Sequence, residues 1–151
     1  MALPTSIDLQ IVTPDRMIVH EQVDEVEIPG VDGYFGVLPG HTPMLAALSV
    51  GELWYRKGQE KTYLAIAFGF AEVLPDRVTI LAQLAERAED IDVERAESAR
   101  VRAAQRLDQK SDVDYERARQ ALTKSMTRLQ VSSRIASGAG PRLKRVRREG
   151  S

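Results

Sequence analysis

The sequence predicts an all-β sandwich of short strands followed by a C-terminal antiparallel α-helical hairpin, and three observations support this fold class. Apolar side chains recur at every second position in residues 1–88, a period that indicates half-buried strands. From Asp92 onward glycine is absent until Gly138, and alanine, arginine and glutamate predominate, which is typical of helices. The charge changes at the same place: residues 1–88 carry 6 basic and 12 acidic side chains, whereas residues 89–151 carry 15 and 10.

The N-terminal part is predicted to form short strands separated by turns. Its alternating apolar positions are Ile7, Leu9, Ile11, Val26, Ile28, Leu53, Tyr55, Leu64, Ile66, Phe68 and Phe70. Turn-forming residues such as Pro29-Gly30 lie between these runs. Asp32-Gly33 is predicted to be the centre of a two-residue hairpin turn, in which both central residues need a positive φ. The spacing of the strands favours a sandwich or a flattened barrel.

Two amphipathic helices are predicted in the C-terminal part. Residues 92–110 form the first, and residues 111–113 are so short a connector that the second must return antiparallel. One face of the first helix is lined by Ala96, Ala99, Ala103 and Leu107, and one face of the second by Tyr115, Ala118, Leu122, Ser125, Leu129 and Ser132. Because alanine and serine bury little apolar area, we expect a weakly held hairpin. The composition is compatible both with a permanently folded pair and with one that opens.

These patterns divide the chain into a sandwich over residues 1–88, a helical hairpin over 89–137 and a basic tail over 138–151. The tail, GAGPRLKRVRREGS, holds five Arg or Lys residues against one Glu, and its glycines and proline disfavour a continuing helix. We expect it to be flexible, either as a solvated end or as a segment that contacts phosphate or an acidic protein surface.

The composition excludes several kinds of active site. The chain has no cysteine, and its two histidines, His20 and His41, suggest neither a Ser-His-Asp arrangement nor a histidine-rich metal site. There is no GxxxxGK phosphate loop, and no apolar run approaches the roughly 20 residues that span a bilayer. The first residues lack a basic region followed by an apolar one. We therefore expect a soluble, cytosol-side protein with neither a serine-hydrolase site nor a histidine-rich metal site, and a net charge of -1 disfavours nucleic acid as its partner.

A short motif occurs twice, as IDVERA at residues 91–96 and VDYERA at residues 113–118. In each copy an aspartate, Asp92 or Asp114, precedes an amphipathic run, where its carboxylate can accept a hydrogen bond from a free backbone N–H. Capping of two helices accounts for both copies.

Three segments carry a resemblance to a known family. FGVLPGHTPML at 35–45, FAEVLPDRVTILA at 70–82 and AEDIDVERA at 88–96 resemble, in order and spacing, the epsilon subunits of bacterial F-type ATP synthases. The PGHTP turn is the most specific of these features, and the similarity extends over about residues 7–135. The resemblance implies a ten-stranded sandwich followed by the hairpin, in a rotor subunit that performs no bond chemistry.

The resemblance also implies partners and a location. In this family the sandwich is attached to the gamma subunit and rests on the ring of c subunits, and the raised hairpin meets the alpha and beta subunits and blocks ATP hydrolysis. Such a subunit lies on the cytoplasmic side of the bacterial inner membrane, bound through its complex alone. The residues implied here in contact with gamma and the c ring are Tyr34, Pro39, Gly40, His41 and Thr42. Some relatives have an acidic residue in place of Tyr34, and many have paired glycines where Phe68 stands.

Relatives that bind ATP use an I/L-D-x-x-R-A motif at the start of the first hairpin helix, which is here Ile91, Asp92, Arg95 and Ala96. Further contacts implied by the resemblance are Glu86, Arg102, Lys124 and Arg128. Carboxylates can accept from adenine or ribose, and the cations suit the base or the phosphates. Many relatives have arginine where Lys124 stands, so weaker phosphate affinity is expected. No cofactor is required; ATP is expected as a regulatory ligand that holds the hairpin folded.

Three arginines of the second helix, Arg117, Arg119 and Arg134, are implied in inhibitory contacts with an acidic segment of the beta subunit. A solvated helix face is the alternative for each of them. A second class of function also stays open: a free-standing nucleotide-sensing or chaperone-like module, with the sandwich as scaffold and the hairpin as clamp. Co-purification with gamma, alpha and beta subunits would distinguish the two classes.

Overall fold

The computed structural model describes residues 3–108 and 115–136, which form seven strands, one turn of 3-10 helix and two α-helices. The strands are β1 (Ile7–Val12), β2 (Met17–Val23), β3 (Glu25–Gly30), β4 (Gly33–Val37), β5 (Met44–Lys57), β6 (Glu60–Val73) and β7 (Arg77–Arg87). The 3-10 turn (Ala88–Asp90) leads to α1 (Val93–Asp108), and α2 (Tyr115–Ala136) follows. The predicted fold class is confirmed. The predicted connector and tail lie outside the described residues.

The strands form a sheet in the order β2-β1-β7-β6-β5-β3-β4, which is antiparallel except for the parallel pair of β1 and β7. It encloses one apolar core to which every strand contributes. The largest fully buried side chains are Ile7, Leu9, Ile11, Val19, Val23, Val26, Ile28, Val37, Leu53, Leu64, Ile66 and Ile80. Burial of this apolar surface is the main favourable term for the sandwich.

The described residues form seven strands, whereas the family resemblance implies about ten. Three of the strands are long: β5 and β6 have 14 residues each, and β7 has 11. Strand β5 pairs with β6 along almost its whole length, and β6 with β7. Segments that could count as separate strands are therefore continuous here.

Strand β6 bends at Phe68 and Gly69, whose φ angles of 59° and 122° lie in the left-handed region that L side chains rarely adopt. A Cβ on Gly69 would overlap the carbonyl oxygen of Leu81, so the approach of β7 also requires glycine here. Before the bend, the large side chains that point into the core are at even-numbered positions, Leu64 and Ile66. After it, the buried side chains are at odd-numbered positions, Ala71 and Val73. The simple alternation predicted for this strand is therefore wrong at Phe70, which is 63% exposed.

The hairpin that joins β3 to β4 is one residue out of the predicted register. Gly30 pairs with Gly33, so the two central residues are Val31 and Asp32 rather than Asp32 and Gly33. Gly33 has a φ of 124°, whereas Asp32 is not among the described residues with positive φ. The prediction located the turn correctly but assigned glycine to its centre instead of to the residue that follows it.

The predicted cap of the first helix is confirmed. The backbone N–H of Arg95 donates to Oδ1 of Asp92 at 3.0 Å, and the N–H of Ala96 donates to the Asp92 carbonyl at 3.0 Å. The corresponding Asp114 lies outside the described residues. Such a cap contributes typically about 1 kcal/mol to helix stability.

The two helices pack on each other along the predicted small-residue faces. Ala96, Ala103, Ala118 and Ser125 are buried, and the other predicted positions are half-buried except Tyr115. The prediction for Tyr115 is wrong: it stands in the first turn of α2 and is 56% exposed. Helix α2 also contacts β5, β6 and the 3-10 turn, so it supplies the main contact between hairpin and sandwich.

Candidate functional site: the face that docks the helical hairpin

Three residues on neighbouring strands form a row under helix α2. Glu52 of β5 pairs with Ala65 of β6, and Ala65 pairs with Glu86 of β7. Paired residues on adjacent strands point to the same face of a sheet, so the row presents a carboxylate, a methyl group and a second carboxylate. We call Glu52, Ala65 and Glu86 the docking row.

Helix α2 presents a complementary row of Arg128, Val131 and Arg134, which are three residues apart and therefore share a face. Six helical residues rise about 9 Å, and two steps between adjacent strands cover about 9.6 Å. The two rows therefore match in length as well as in charge. Each arginine meets one carboxylate, and Val131 lies with Ala65 in one buried cluster.

The strongest of these contacts joins Arg134 to Glu52. The Nε and Nη2 atoms of the arginine donate to the two carboxylate oxygens at 3.1 and 2.8 Å, which is a two-point charge-assisted arrangement. Only 10% of the Glu52 side chain is exposed, and the Arg134 guanidinium also lies 4.9 Å from the centre of the Tyr63 ring. The hydrogen bond to Glu52 raises the pKa of the Arg134 guanidinium further above its already high usual value.

The second ion pair joins Arg128 to Glu86, with Nε donating to the carboxylate at 3.1 Å. About a fifth of each side chain is exposed, so this pair is more shielded than an ordinary surface pair. Glu86 and Arg128 were both implied as nucleotide contacts. In this structure they contact each other.

A small apolar cluster lies between the two ion pairs. Its buried members are Ala65, Ala88, Ile91 and Val131, and Tyr63 packs against it. Ile91 and Ala96, the two apolar members of the IDVERA motif, are both buried and have a packing role in this state. Among the residues that the structure describes, this cluster contains two branched aliphatic side chains, Val131 and Ile91, and its other buried members are alanines, so its apolar area is small.

The remaining nucleotide candidates are spread around this face. Asp92 caps α1, while Arg95 and Arg102 are exposed on that helix and form no ion pair within residues 3–108 and 115–136. Lys124 is half-buried, and its ammonium lies 5.3 Å from the centre of the Phe68 ring. The structure therefore joins Glu86 with Arg128 and Lys124 with Phe68, but it does not join Arg95 or Arg102 to either pair.

The residues implied in gamma and c-ring contact lie around β4 and the loop before β5. Tyr34 is 57% exposed, although its hydroxyl accepts a hydrogen bond from the Glu52 backbone N–H at 3.1 Å. Gly40 has a φ of 87° and donates to the Pro75 carbonyl at 2.7 Å, while Pro39 is half-buried. His41 Nδ1 lies 2.6 Å from the carbonyl of Thr42, and Thr42 is exposed. The PGHTP turn is therefore held by backbone contacts.

An exposed apolar strip on the sheet was missed by the sequence analysis. It consists of Leu45, Phe70 and Leu81, which are 75%, 63% and 56% exposed. Phe70 pairs directly with Leu81, so their side chains are neighbours on the outer face. The signal that could have identified the strip is that large apolar residues occur at both odd and even positions of these strands. Because alternate side chains point to opposite faces of a sheet, one of the two sets must face outward.

The three predicted inhibitory arginines differ in their surroundings. Arg117 and Arg119 are exposed, and Arg119 makes a surface contact of 3.6 Å with Glu116. Arg134, in contrast, is held by Glu52 in this conformation.

Within residues 3–108 and 115–136 there is no group of three or more His, Cys, Asp or Glu side chains that could hold a metal ion. Neither described helix is both long enough and apolar enough to span a membrane.

Sequence comparison identifies both parts of this architecture. Residues 6–88 match the profile of the ATP synthase delta/epsilon chain, beta-sandwich domain, and residues 89–133 match that of the ATP synthase delta/epsilon chain, long alpha-helix domain. The chain belongs to the ATP synthase epsilon family. The epsilon chain of Koribacter versatilis is 54% identical over 102 residues, which cover 68% of this chain and 72% of that one. The epsilon chain of Syntrophobacter fumaroxidans is 57% identical over 101 residues, covering 67% and 75%.

Two solved structures contain a chain of similar fold. A chain in the OSCP/F1/c-ring structure of the Euglena gracilis mitochondrial ATP synthase is similar with a TM-score of 0.76 and 27% identity, covering 84% of this chain and 81% of that one. A chain of the central stalk and c-ring structure of the Tetrahymena thermophila enzyme shares the fold, with a TM-score of 0.51 at 12% identity over 88% of this chain and 98% of that one.

Proposed function

We propose that this member of the epsilon family is a non-catalytic rotor subunit whose hairpin is a reversible brake on ATP hydrolysis. In this account the sandwich attaches to the gamma subunit and the c ring, and the hairpin, once raised, reaches the alpha and beta subunits. The protein is then a peripheral subunit on the cytoplasmic side of the bacterial inner membrane. The similarity to a chain of an F1/c-ring assembly supports the attachment of the sandwich to the rotor.

The observation that carries the proposal is the composition of the docking contact. Burial of Val131 contributes about 1.5–3 kcal/mol, whereas a partly exposed pair such as Glu86 with Arg128 contributes up to about 1 kcal/mol. The Glu52 pair adds a charge-assisted contact of about 1.5–3 kcal/mol, offset by the cost of desolvating its carboxylate. A docking free energy of a few kcal/mol is small enough for the hairpin to leave and return.

The exposed apolar strip supports the attachment of the sandwich to a partner. Phe70 and Leu81 are paired on adjacent strands, and the exposed Leu45 lies on β5 two residues from Ala47, the β5 partner of Phe70. Exposed aliphatic and aromatic side chains grouped in this way are typical of protein interfaces. We assign this strip to contact with gamma, and the loop with Tyr34 and His41 to contact with gamma and the c ring. Substituting Phe70 by Glu should then weaken binding to gamma.

Regulation by ATP is the second part of the proposal. For Arg128 to reach a phosphate it must exchange Glu86 for the ligand, and Lys124 must turn away from Phe68. A ligand at one hundred times its dissociation constant stabilises the state that it binds by about 2.7 kcal/mol. This is comparable with the docking free energy above, so ATP could decide whether the hairpin stays on the sandwich.

The experiment that tests the brake is ATP hydrolysis by the reconstituted complex with the full chain and with a chain that lacks residues 89–151. Removal of the hairpin should raise hydrolysis. A chain that lacks only residues 138–151 is the matched control, since it separates the tail from the hairpin. Equal rates with the full chain and with the chain truncated after residue 88 would contradict the proposal.

A further inference from the structure

Strand β5 has an irregular stretch beside β3. Glu27 pairs with Trp54, but Gly30 pairs with Leu48, so β5 uses three more residues than β3 over this interval. Backbone groups of β5 in the bulged stretch therefore lack their regular partners on β3. One of them, the N–H of Glu52, donates instead to the side-chain oxygen of Tyr34 at 3.1 Å.

The ring of Tyr34 reaches this position because Gly51 leaves room for it. A Cβ on Gly51 would overlap the Tyr34 hydroxyl and would lie 2.7 Å from Cβ of Pro29. Tyr34 belongs to β4, the outermost strand next to β3, so its side chain crosses over to β5 from the edge of the sheet. The hydroxyl replaces the missing ladder hydrogen bond.

The residue whose backbone is held in this way also makes the two-point contact with α2. Both Glu52 carboxylate oxygens accept from Arg134, at 3.1 and 2.8 Å. In a strand the orientation of the backbone determines where the side chain points. A two-point arginine contact needs its carboxylate in one orientation, so it is sensitive to small rotations of the backbone that carries it.

We propose that Tyr34 is a positioning residue for the docking of the hairpin: by accepting the Glu52 N–H, it holds the Glu52 carboxylate in the orientation that Arg134 requires. The inference rests on the proposed function, in which the docked hairpin is one of two working states. It assigns Tyr34 a second role that is distinct from its contact with the rotor. More than half of the side chain is exposed while its hydroxyl is bonded, so one residue serves both the outer surface and the docking row.

The direct test measures docking in the isolated full-length chain. Because the chain contains no cysteine, Gln59→Cys in the exposed β5–β6 turn and Ser98→Cys on the exposed face of α1 accept a pair of dyes without competition. Energy transfer between the dyes reports the ratio of docked to open hairpin. Tyr34→Phe should lower this ratio by about two- to fivefold, as expected for the loss of one hydrogen bond that positions the pair. Tyr115→Phe, the same change at an exposed tyrosine, should leave it unaltered.

A double-mutant cycle separates positioning from general loosening of the sandwich. Arg134→Ala should lower the ratio by itself, and in that background Tyr34→Phe should have no further effect, because the contact that Tyr34 positions is already gone. Fluorescence of Trp54, the single tryptophan, reports whether each variant is folded.

Two results would overturn the proposal: no effect of Tyr34→Phe in the parent chain, or the same effect with and without Arg134. In either case the brake itself could still be correct. The brake is judged separately, by hydrolysis in the complex with and without residues 89–151.

Discussion

Arg134 and Glu52 are 82 residues apart in the sequence, yet the guanidinium of one donates to both carboxylate oxygens of the other. Together with Arg128 and Glu86, they attach helix α2 to the face formed by strands β5, β6 and β7. The docked hairpin therefore depends on a few polar contacts whose loss can be measured one at a time.

The first prediction concerns this pair. Arg134→Ala should weaken docking by about 1–3 kcal/mol, because it leaves the nearly buried Glu52 carboxylate without its charged partner. The docked fraction can be measured by energy transfer between dyes on the sandwich and on α1. Arg119→Ala removes an equal charge from an exposed position of the same helix and should change docking by less than about 0.5 kcal/mol. Equal effects of the two substitutions would mean that the Glu52 contact has no special part in docking.

Phe68→Gly should affect the sandwich and the hairpin through different features of the side chain. Glycine removes the cost of about 1–2 kcal/mol that the left-handed φ of 59° imposes on phenylalanine, which offsets the lost burial of this half-buried ring, so the sandwich should be destabilised less than by Phe70→Gly. The same change removes the ring on which Lys124 lies, so the docked fraction should fall. Denaturant unfolding followed by Trp54 fluorescence measures the first effect, and energy transfer measures the second.

Phe70→Gly is the control for that pair of measurements. It removes the same ring two residues away, from a position without a positive φ, and should destabilise the strand without affecting the Lys124 contact. Destabilisation by Phe68→Gly as large as that by Phe70→Gly would contradict the relief of backbone strain at Phe68.

The third prediction concerns alkaline pH. Burial raises the pKa of the Tyr55 phenol above its usual value of 10.0. A group whose pKa is higher in the folded than in the unfolded state contributes stability below its unfolded pKa and loses it as the pH rises. The free energy of unfolding should therefore fall above about pH 10, and Tyr55→Phe should make this fall smaller. Denaturant titrations at about pH 8 and about pH 11 can check this. An unchanged fall in Tyr55→Phe, or an equal change in Tyr115→Phe, would count against it.

The proposed nucleotide site gives the fourth prediction. Calorimetry of the isolated chain should detect ATP, and Arg128→Ala should lower its affinity at least about tenfold through loss of a charge-assisted phosphate contact. Arg95→Ala should also weaken binding, whereas Arg119→Ala should not. The site assignment fails if no heat is seen at millimolar ATP, or if Arg95→Ala and Arg128→Ala bind as the parent chain does.

What the sequence predicts correctly here is governed by local rules. The cap at Asp92 needs only an aspartate before an amphipathic run, and the small-residue faces of the helices follow from a period of 3.6. The glycine-bearing turn after β3 was likewise located, although its register was one residue out. The segments that resemble the epsilon family also predicted the order of the sandwich and the hairpin along the chain.

The docking row could not be predicted in the same way. Whether Glu52 and Glu86 face one side of a sheet depends on the register of three strands, and whether they meet arginines depends on where α2 lies. The bend at Phe68 also could not be predicted, and it changed which residues of β6 point inward. A change of backbone φ moved the inward positions by one residue, which turned Phe70 outward and created part of the exposed apolar strip.

The central claim is that the docked hairpin permits hydrolysis and the released hairpin blocks it. Its most direct test is ATP hydrolysis by the reconstituted complex carrying Glu52→Gln, because this change weakens docking from the sandwich side and leaves every residue of the hairpin intact. Glu60→Gln, an exposed glutamate at the start of β6, is the control. We predict slower hydrolysis with Glu52→Gln than with the parent chain or Glu60→Gln; a rate equal to or above that of the parent chain would contradict the account.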